Sequence, residues 1–301
     1  MIKVVIDTDP GTDDALALIM ALNSPDLDIQ GLTTVGGNAS LAHTTRNTLR
    51  LMEYLGRPHM PVSRGAARPL RGKFQYAYQY HGPGGLTVRL PSASVEPRPL
   101  RAPDYIISLA YSFPGELVVI ALGPLTNIAN AMNKEPRLKD WLKEIVVMGG
   151  AVEVPGNVTP HAEFNIYNDP VAANLVFSSG TPITLIGLDV CKQTYLTIDD
   201  VRLTPNQSKG EQLASRIVTN WLDAQRDRNQ YQLCDPLTIA ATIWPDLLSY
   251  KEATVSVETE DEERIGKTSA IYGIGNIKVA SSVNVADAKA AVKGLLSGQR
   301  L

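Results

Sequence analysis

Short apolar runs rich in β-branched residues punctuate the first two-thirds of the chain: Val4 to Ile6, Ile29 to Val35, Leu117 to Ala121, Ile145 to Met148 and Ile183 to Leu188. Runs of this length without polar alternation predict strands buried on both faces. Between them, helical patterns are expected over Asp14 to Asn23, Leu41 to Leu55, Tyr105 to Tyr111, Leu125 to Met132 and Pro170 to Ser178. The alternation predicts an α/β fold: a mostly parallel central sheet flanked by helices, doubly wound and Rossmann-like. The last third adds helices near Gln212 to Arg228 and Pro236 to Ile243, strands near Thr254 to Glu258 and Ile277 to Ala280, and a final helix from Val285 to Leu296. With no internal repeat or linker, residues 1–301 are expected to form a single domain. In such sheets ligands sit outside the carboxyl ends of the strands, so the residues that follow each strand are the ones to inspect.

One stretch breaks the rhythm. Residues Arg64 to Pro103 are rich in Gly, Pro and Arg and contain an alternation of Tyr76, Tyr78 and Tyr80 followed by His81-Gly82-Pro83-Gly84-Gly85-Leu86. A loop this long in a compact domain is expected to act as a flap over a site. Composition narrows the class further. A net charge of -3 offers no basic excess for phosphate backbones, so a small molecule is a better partner than a nucleic acid polymer. Two cysteines, Cys191 and Cys234, are too few for a disulfide framework or a thiolate cage. No run approaches the roughly 20 apolar residues of a membrane span, and the start of the chain does not read as a signal peptide. A cytoplasmic protein without membrane partners is expected.

The first strand ends in Asp7-Thr8-Asp9-Pro10-Gly11-Thr12-Asp13-Asp14, four carboxylates in eight residues. Pro-Gly forces a turn, and Asp13-Asp14 opens the next helix. Helix capping, with Asp13 as the cap, explains one or two of these acids. It does not explain why Asp7 and Asp9 are crowded against them at a buried strand end. A bound cation does, and an all-oxygen set in a chain with four histidines favours Ca2+ or Mg2+ over Zn2+.

Later strand ends carry groups of the same character: Thr34-Val35-Gly36-Gly37-Asn38, Gly123-Pro124-Leu125-Thr126-Asn127, Met148-Gly149-Gly150, then Asn157, Glu163-Phe164-Asn165 and Cys234-Asp235-Pro236. Singly each has a plain structural explanation, Asn38 as a turn residue or Asp235 as a helix cap before proline. Jointly they converge on one rim of the sheet.

On these motifs the chain resembles, over nearly its whole length, the ribonucleoside hydrolases of the inosine-uridine preferring type. The resemblance implies a Ca2+ held by Asp9, Asp14, Asp235 and the main-chain carbonyl of Thr126, with Asp7 in support and Asp13 as general base. It implies a nucleoside substrate surrounded at the ribose by Asn38, Met148, Asn157, Glu163, Phe164 and Asn165, with His81 as a flap histidine. It also implies assembly as a homodimer or homotetramer. The chemistry agrees: cleaving an N-glycosidic bond builds positive charge on the sugar, which an anionic pocket stabilises, while a carboxylate takes the proton of an attacking water.

The chain departs from the family pattern at Cys234, where many members carry a histidine that can protonate the leaving base. A thiol with an ordinary pKa of about 8.5 is a weaker donor near neutrality, and a small packed side chain is an equal account of it. Arg226, Asn229, Gln230 and Tyr231 are further candidates for the base pocket, expected on or near one helix face, although a solvated face has the same pattern. Two rivals remain open at the level of sequence. One is a phosphatase or phosphotransferase with Asp7 as nucleophile. The other is a nucleoside- or ribose-binding protein that has lost activity.

Overall fold

The structure, a computed structural model, describes residues 1–202 and 207–298. Its elements begin with β1 (Ile2–Thr8), α1 (Thr12–Asn23), β2 (Leu27–Thr34), α2 (Leu41–Tyr54), β3 (Val62–Arg64), α3 (Tyr78–His81) and α4 (Ala102–Ser112). They continue with β4 (Val118–Ala121), α5 (Thr126–Lys134), α6 (Leu138–Trp141), β5 (Glu144–Met148), α7 (Phe164–Asn168), α8 (Pro170–Phe177) and β6 (Ile183–Ile186). After α9 (Leu188–Cys191) and β7 (Tyr195–Leu196) come α10 (Lys209–Ala224), β8 (Tyr231–Gln232) and α11 (Cys234–Ile243). The chain closes with β9 (Leu248–Val257), β10 (Thr268–Tyr272), β11 (Ile277–Val283) and α12 (Val285–Ser297).

One nine-stranded sheet runs in the order β10-β9-β11-β6-β5-β4-β1-β2-β3. It is parallel from β3 to β11, and antiparallel pairing is confined to β9 with β11 and β10. The apolar runs become the central strands because side chains of both parities are buried: Val4, Val5 and Ile6 of β1 are fully enclosed, as are Val119, Ile120 and Ala121 of β4. Helices cover both faces, giving two apolar layers, one around α1, α10, α11 and α12 and the other around α4, α5 and α8. Helix α1 is apolar nearly all round and sits inside its layer against α11 and α12.

The expected central strands and helices are present, with ends displaced by a few residues. The pattern gave no warning of β3, β10, α7, α9 or the β7–β8 pair, each too short or too exposed to carry a period. Helix α10 ends at Ala224, so Arg226, Asn229 and Gln230 lie beyond it, exposed, and do not share a helix face. No described helix is long and apolar enough to cross a membrane.

Strand order fixes the place of the site. From β1 the chain moves outward through β2 and β3, then crosses back to β4 on the other side of β1. The β1–β4 boundary is therefore the switch point at which connections leave in opposite directions and open a crevice.

Candidate functional site

Parallel register sets the first carboxylate. Asp7 stands opposite Thr33 of β2 and Ala121 of β4. Its Oδ1 accepts from Thr33 Oγ1 at 2.5 Å and from Asn127 Nδ2 at 2.7 Å. Burial outweighs these bonds and raises its pKa to about 7. Asp7 is wholly enclosed and does not line the cavity; its bonds tie the end of β2 to the start of α5.

Asp14, rather than Asp13, closes the helix end. Its carboxylate accepts from the Gly11 N–H at 2.9 Å, the Asp9 N–H at 3.1 Å and Thr8 Oγ1 at 2.5 Å, and Asn38 Nδ2 donates to it at 3.0 Å. Asp9 accepts the Asn38 N–H at 2.6 Å. A Cβ on Gly37 would stand 2.0 Å from Asp9 Oδ2, and one on Gly123 2.5 Å from Asp9 Oδ1. Those glycines let two strand-end loops close directly onto the carboxylate.

Asp13, Asp14 and Asp235 bring carboxylate oxygens within 4.8 Å of one another. Asp9 lies outside that group, and Thr126 opens α5 with its hydroxyl donating to Asp169 at 2.7 Å. Desolvation, first among the causes, raises the pKa of Asp9, Asp13, Asp14 and Asp235, and repulsion among the carboxylates adds to it at Asp9, Asp14 and Asp235. Asp7 Oδ2, Asp9 Oδ1 and Asp13 Oδ1 are buried oxygens without a hydrogen-bond partner. Buried acceptors normally have one.

Above the aspartates lies a cavity of about 360 Å3. Asp13, Asp235, Asn38, Met148, Glu163 and Asn165 line its sheet end. Glu163 caps α7, accepting the N–H groups of Asn165, Ile166 and Gly150 at 2.9 to 3.1 Å. Asn165 Nδ2 donates to the carbonyls of Leu122 and Met148, and Asn157 accepts the Phe164 N–H at 2.9 Å. Asn157 and Phe164 reach the wall from the same segment.

The flap forms the opposite wall through residues 75–81. His81 Nδ1 accepts the Thr12 N–H at 3.1 Å, which leaves Nε2 as the ring's protonated nitrogen. Burial lowers its pKa to about 4, so the ring is neutral around pH 7. The flap is pinned by Tyr78, whose hydroxyl meets His43 Nδ1 at 3.0 Å and accepts the Ser40 N–H at 3.1 Å. Trp221, Arg228, Tyr231 and Gln232 complete the wall. Of Arg226, Asn229, Gln230 and Tyr231, only Tyr231 lines the cavity; Gln75, Tyr80, Trp221 and Arg228 were not anticipated, and the tyrosine alternation was the one signal for any of them. Cys234 lies on the cavity beside Cys191; both are free thiols, and the hydrogen bond to Cys191, with burial, holds the Cys234 thiol protonated well above its usual range.

A switch-point cavity floored by carboxylates and ringed by amides can hold a polyhydroxylated ligand next to a cation. The sequence profile described as "Inosine-uridine preferring nucleoside hydrolase" matches residues 4–290. The chain belongs to this family. It is 40% identical to "Uridine nucleosidase 1" of Arabidopsis thaliana, over 86% of this chain and 79% of that protein. Among solved structures it superposes on a plant nucleoside hydrolase, the PpNRh1 enzyme, with a TM-score of 0.93 at 36% identity, covering 98% of each chain. A purine-preferring ribonucleoside hydrolase from Gardnerella vaginalis gives the same TM-score at 31% identity, again over 98% of each chain. The chain is accordingly a nucleoside hydrolase, an enzyme of N-glycosidic bond hydrolysis.

Proposed function

We propose that this nucleoside hydrolase is Ca2+-dependent and cleaves a ribonucleoside, uridine first among candidates, to free base and ribose. One observation carries the reading: the carboxylates of Asp13, Asp14 and Asp235 converge beneath the cavity beside buried oxygens that have no partner. The donors are all hard oxygens, and the glycines at 37 and 123 leave no room for side chains around Asp9, so the residues fit a Ca2+. Asp9, Asp14, Asp235 and the Thr126 main-chain carbonyl would hold it, braced by Asp7. When bound, the ion offsets the crowded negative charge, draws ribose hydroxyls to the floor, and orients and acidifies a water.

Asp13 is partly open to the cavity, and its role is to take the proton of the water that attacks the anomeric carbon. Asn38, Asn157, Glu163 and Asn165 orient the ribose, Asn38 held by the Asp14 carboxylate and the other three by backbone groups before substrate arrives. Met148 and Phe164 exclude water from one side of the sugar, and His81 offers its Nε2–H from the flap. Positive charge developing on the ring is stabilised by the surrounding carboxylates. Cys234 lines the cavity next to Asp235, and its protonated thiol is a weak donor toward the leaving base. Uridine is favoured because the relative at 40% identity is named for it, whereas the purine-preferring structure stands at 31%. A homodimer or homotetramer is the proposed assembly, to be checked by light scattering.

The test is ribose release from uridine, cytidine, inosine and adenosine with and without a chelator. Uridine with Ca2+ is expected to be fastest. No ribose from any nucleoside would refute the reading, and release indifferent to the chelator would refute its Ca2+ dependence. The phosphatase reading, with Asp7 as nucleophile, finds no support, because Asp7 does not line the cavity.

A further inference from the structure

We propose that a second cavity, on the opposite side of α2 from the aspartate loops, binds a phosphate-bearing small molecule. Thr44 and Asn47 of α2 turn toward the active-site loops, bonding to the carbonyls of Val35 and Pro10. Arg50 and Arg46 line the other side of the helix, with Arg46 Nη2 reaching the edge of the Gly84 carbonyl that also accepts from Asn47 Nδ2 at 2.9 Å. With Arg64 at the end of β3 and the strap from Ser92 to Pro97 they border an open-sided space of about 270 Å3.

The three guanidinium groups outnumber the carboxylates that line the space. Among the described residues none of them forms an ion pair. Arg46 Nε is buried with no hydrogen-bond partner, and its Nη2 has only a 3.5 Å contact to the Gly84 carbonyl. Arg50 Nη2 donates to Ser92 Oγ at 3.3 Å. Arg46 and Arg50 are four residues apart on one helix face, a spacing at which like charges repel. An orphaned guanidinium N–H carries a further cost. An anion in the cavity relieves both.

The charge count selects the anion. Glu96 also lines the cavity, and three guanidinium groups against one carboxylate leave two positive charges, which matches a phosphate near neutrality. Guanidinium groups bind phosphate oxygens through paired, charge-assisted hydrogen bonds. Leu49, Val95 and Pro97 supply an apolar wall, leaving room for a carbon skeleton of about the size of a sugar beside the phosphate.

The test is calorimetric titration of the full chain with inorganic phosphate, ribose 5-phosphate and uridine 5′-monophosphate at constant ionic strength, with sodium chloride as control. Binding by at least one of the three is expected. The variants Arg50→Gln and Arg64→Gln are expected to weaken it about tenfold or more each, the loss of one charge-assisted bond, with nucleoside hydrolysis unchanged. Glu96→Gln is expected to tighten it about threefold by removing the opposing charge. If ribose 5-phosphate binds more tightly than inorganic phosphate the ligand is an organic phosphate, and if they bind equally it is free phosphate; both outcomes support the site. No binding beyond the chloride control at millimolar concentration would overturn it. So would variants that bind as tightly as the parent, since the phosphate would then lie elsewhere.

Discussion

At the sheet end of the cavity, Asp9, Asp14 and Asp235 are at most 2% exposed, and backbone or side-chain donors fix Asp9 and Asp14 in place. At the flap end, Tyr76 and Tyr80 are 41% and 42% exposed, and Gln75 and Gln79 reach the cavity from a segment with one short helix. The sheet end draws on strands that cannot slip register without turning their apolar side chains out of the core. The flap end rests on a few anchors such as Tyr78 with His43. Ribose, common to all ribonucleosides, is proposed to lie at the rigid end, and the variable base at the adaptable one. Changes at the sheet end should therefore remove catalysis, and changes at the flap end should alter which base is accepted.

The largest expected effect is at Asp13. Asp13→Asn keeps the shape of the side chain but removes the base, and turnover should fall by about 100- to 10,000-fold. Calcium affinity, measured by calorimetry, should fall far less than turnover, because Asp13 is not among the proposed ligands although its carboxylate lies within 4.8 Å of Asp14 and Asp235. A variant within tenfold of the parent would remove Asp13 from the role of base.

Next comes the linkage between cation and pH. Asp7 has its pKa raised to about 7 by burial, and the neighbouring aspartates are pushed the same way. An acid whose folded pKa exceeds its unfolded value near 4 binds more protons when folded, so the cation-free protein loses stability as pH rises from about 4 to 7. A cation favours the ionised carboxylates and reverses the trend. At about 100 times its Kd the ion should add about 3 kcal/mol, several degrees of Tm at pH 7.5, and clearly less at pH 5. An equal gain at both pH values would mean that the carboxylates do not hold the ion.

The rigid end is also the part that could be read in the sequence. Asp7, Asn38, Gly123 and Met148 each lie at or just past the carboxyl end of an apolar run, so recognising the strands placed them on one rim. The partners were less visible: Asp14 rather than Asp13 caps α1, and no spacing rule anticipates Thr33 and Asn127 meeting on Asp7, which depends on register across three strands. The flap end was mostly opaque. Trp221 lies beside Leu222 in the last turns of an amphipathic helix and looks like core, while Arg228 sits in the irregular turn after it and Gln232 in a two-residue strand, where no periodicity links residue to direction. The arginine pocket beside α2 was hidden for the same reason, since its third wall comes from the long flap segment.

A moderate effect is expected from Tyr80→Ala. If the Tyr80 ring, which lines the cavity, lies against the base, its loss should lower kcat/KM about tenfold and fall mainly on KM. The ratio between uridine and inosine should shift, while ribose inhibition stays constant. A loss confined to kcat, equal for every nucleoside, would place Tyr80 at the catalytic end and erase the division of labour.

The smallest effect is expected at Cys234, where the two ends meet. It precedes Asp235 at the start of α11 and borders the cavity, but its thiol is tied to Cys191 and kept protonated. A group so reluctant to lose its proton gives little help to a departing base, so Cys234→Ala should cost uridine turnover no more than about fivefold, well short of a full general acid. Cys234→Ser should fall between Ala and the parent if donation matters at all, because a hydroxyl also donates. The three rates on uridine and on inosine decide between packing and chemistry: equal losses on both nucleosides mean that Cys234 only supports Asp235, whereas a loss concentrated on the poorer leaving group means that the thiol donates. A loss above about 100-fold for Ala alone, rescued by Ser, would make Cys234 the principal acid and shift leaving-group chemistry from the adaptable end to the rigid one.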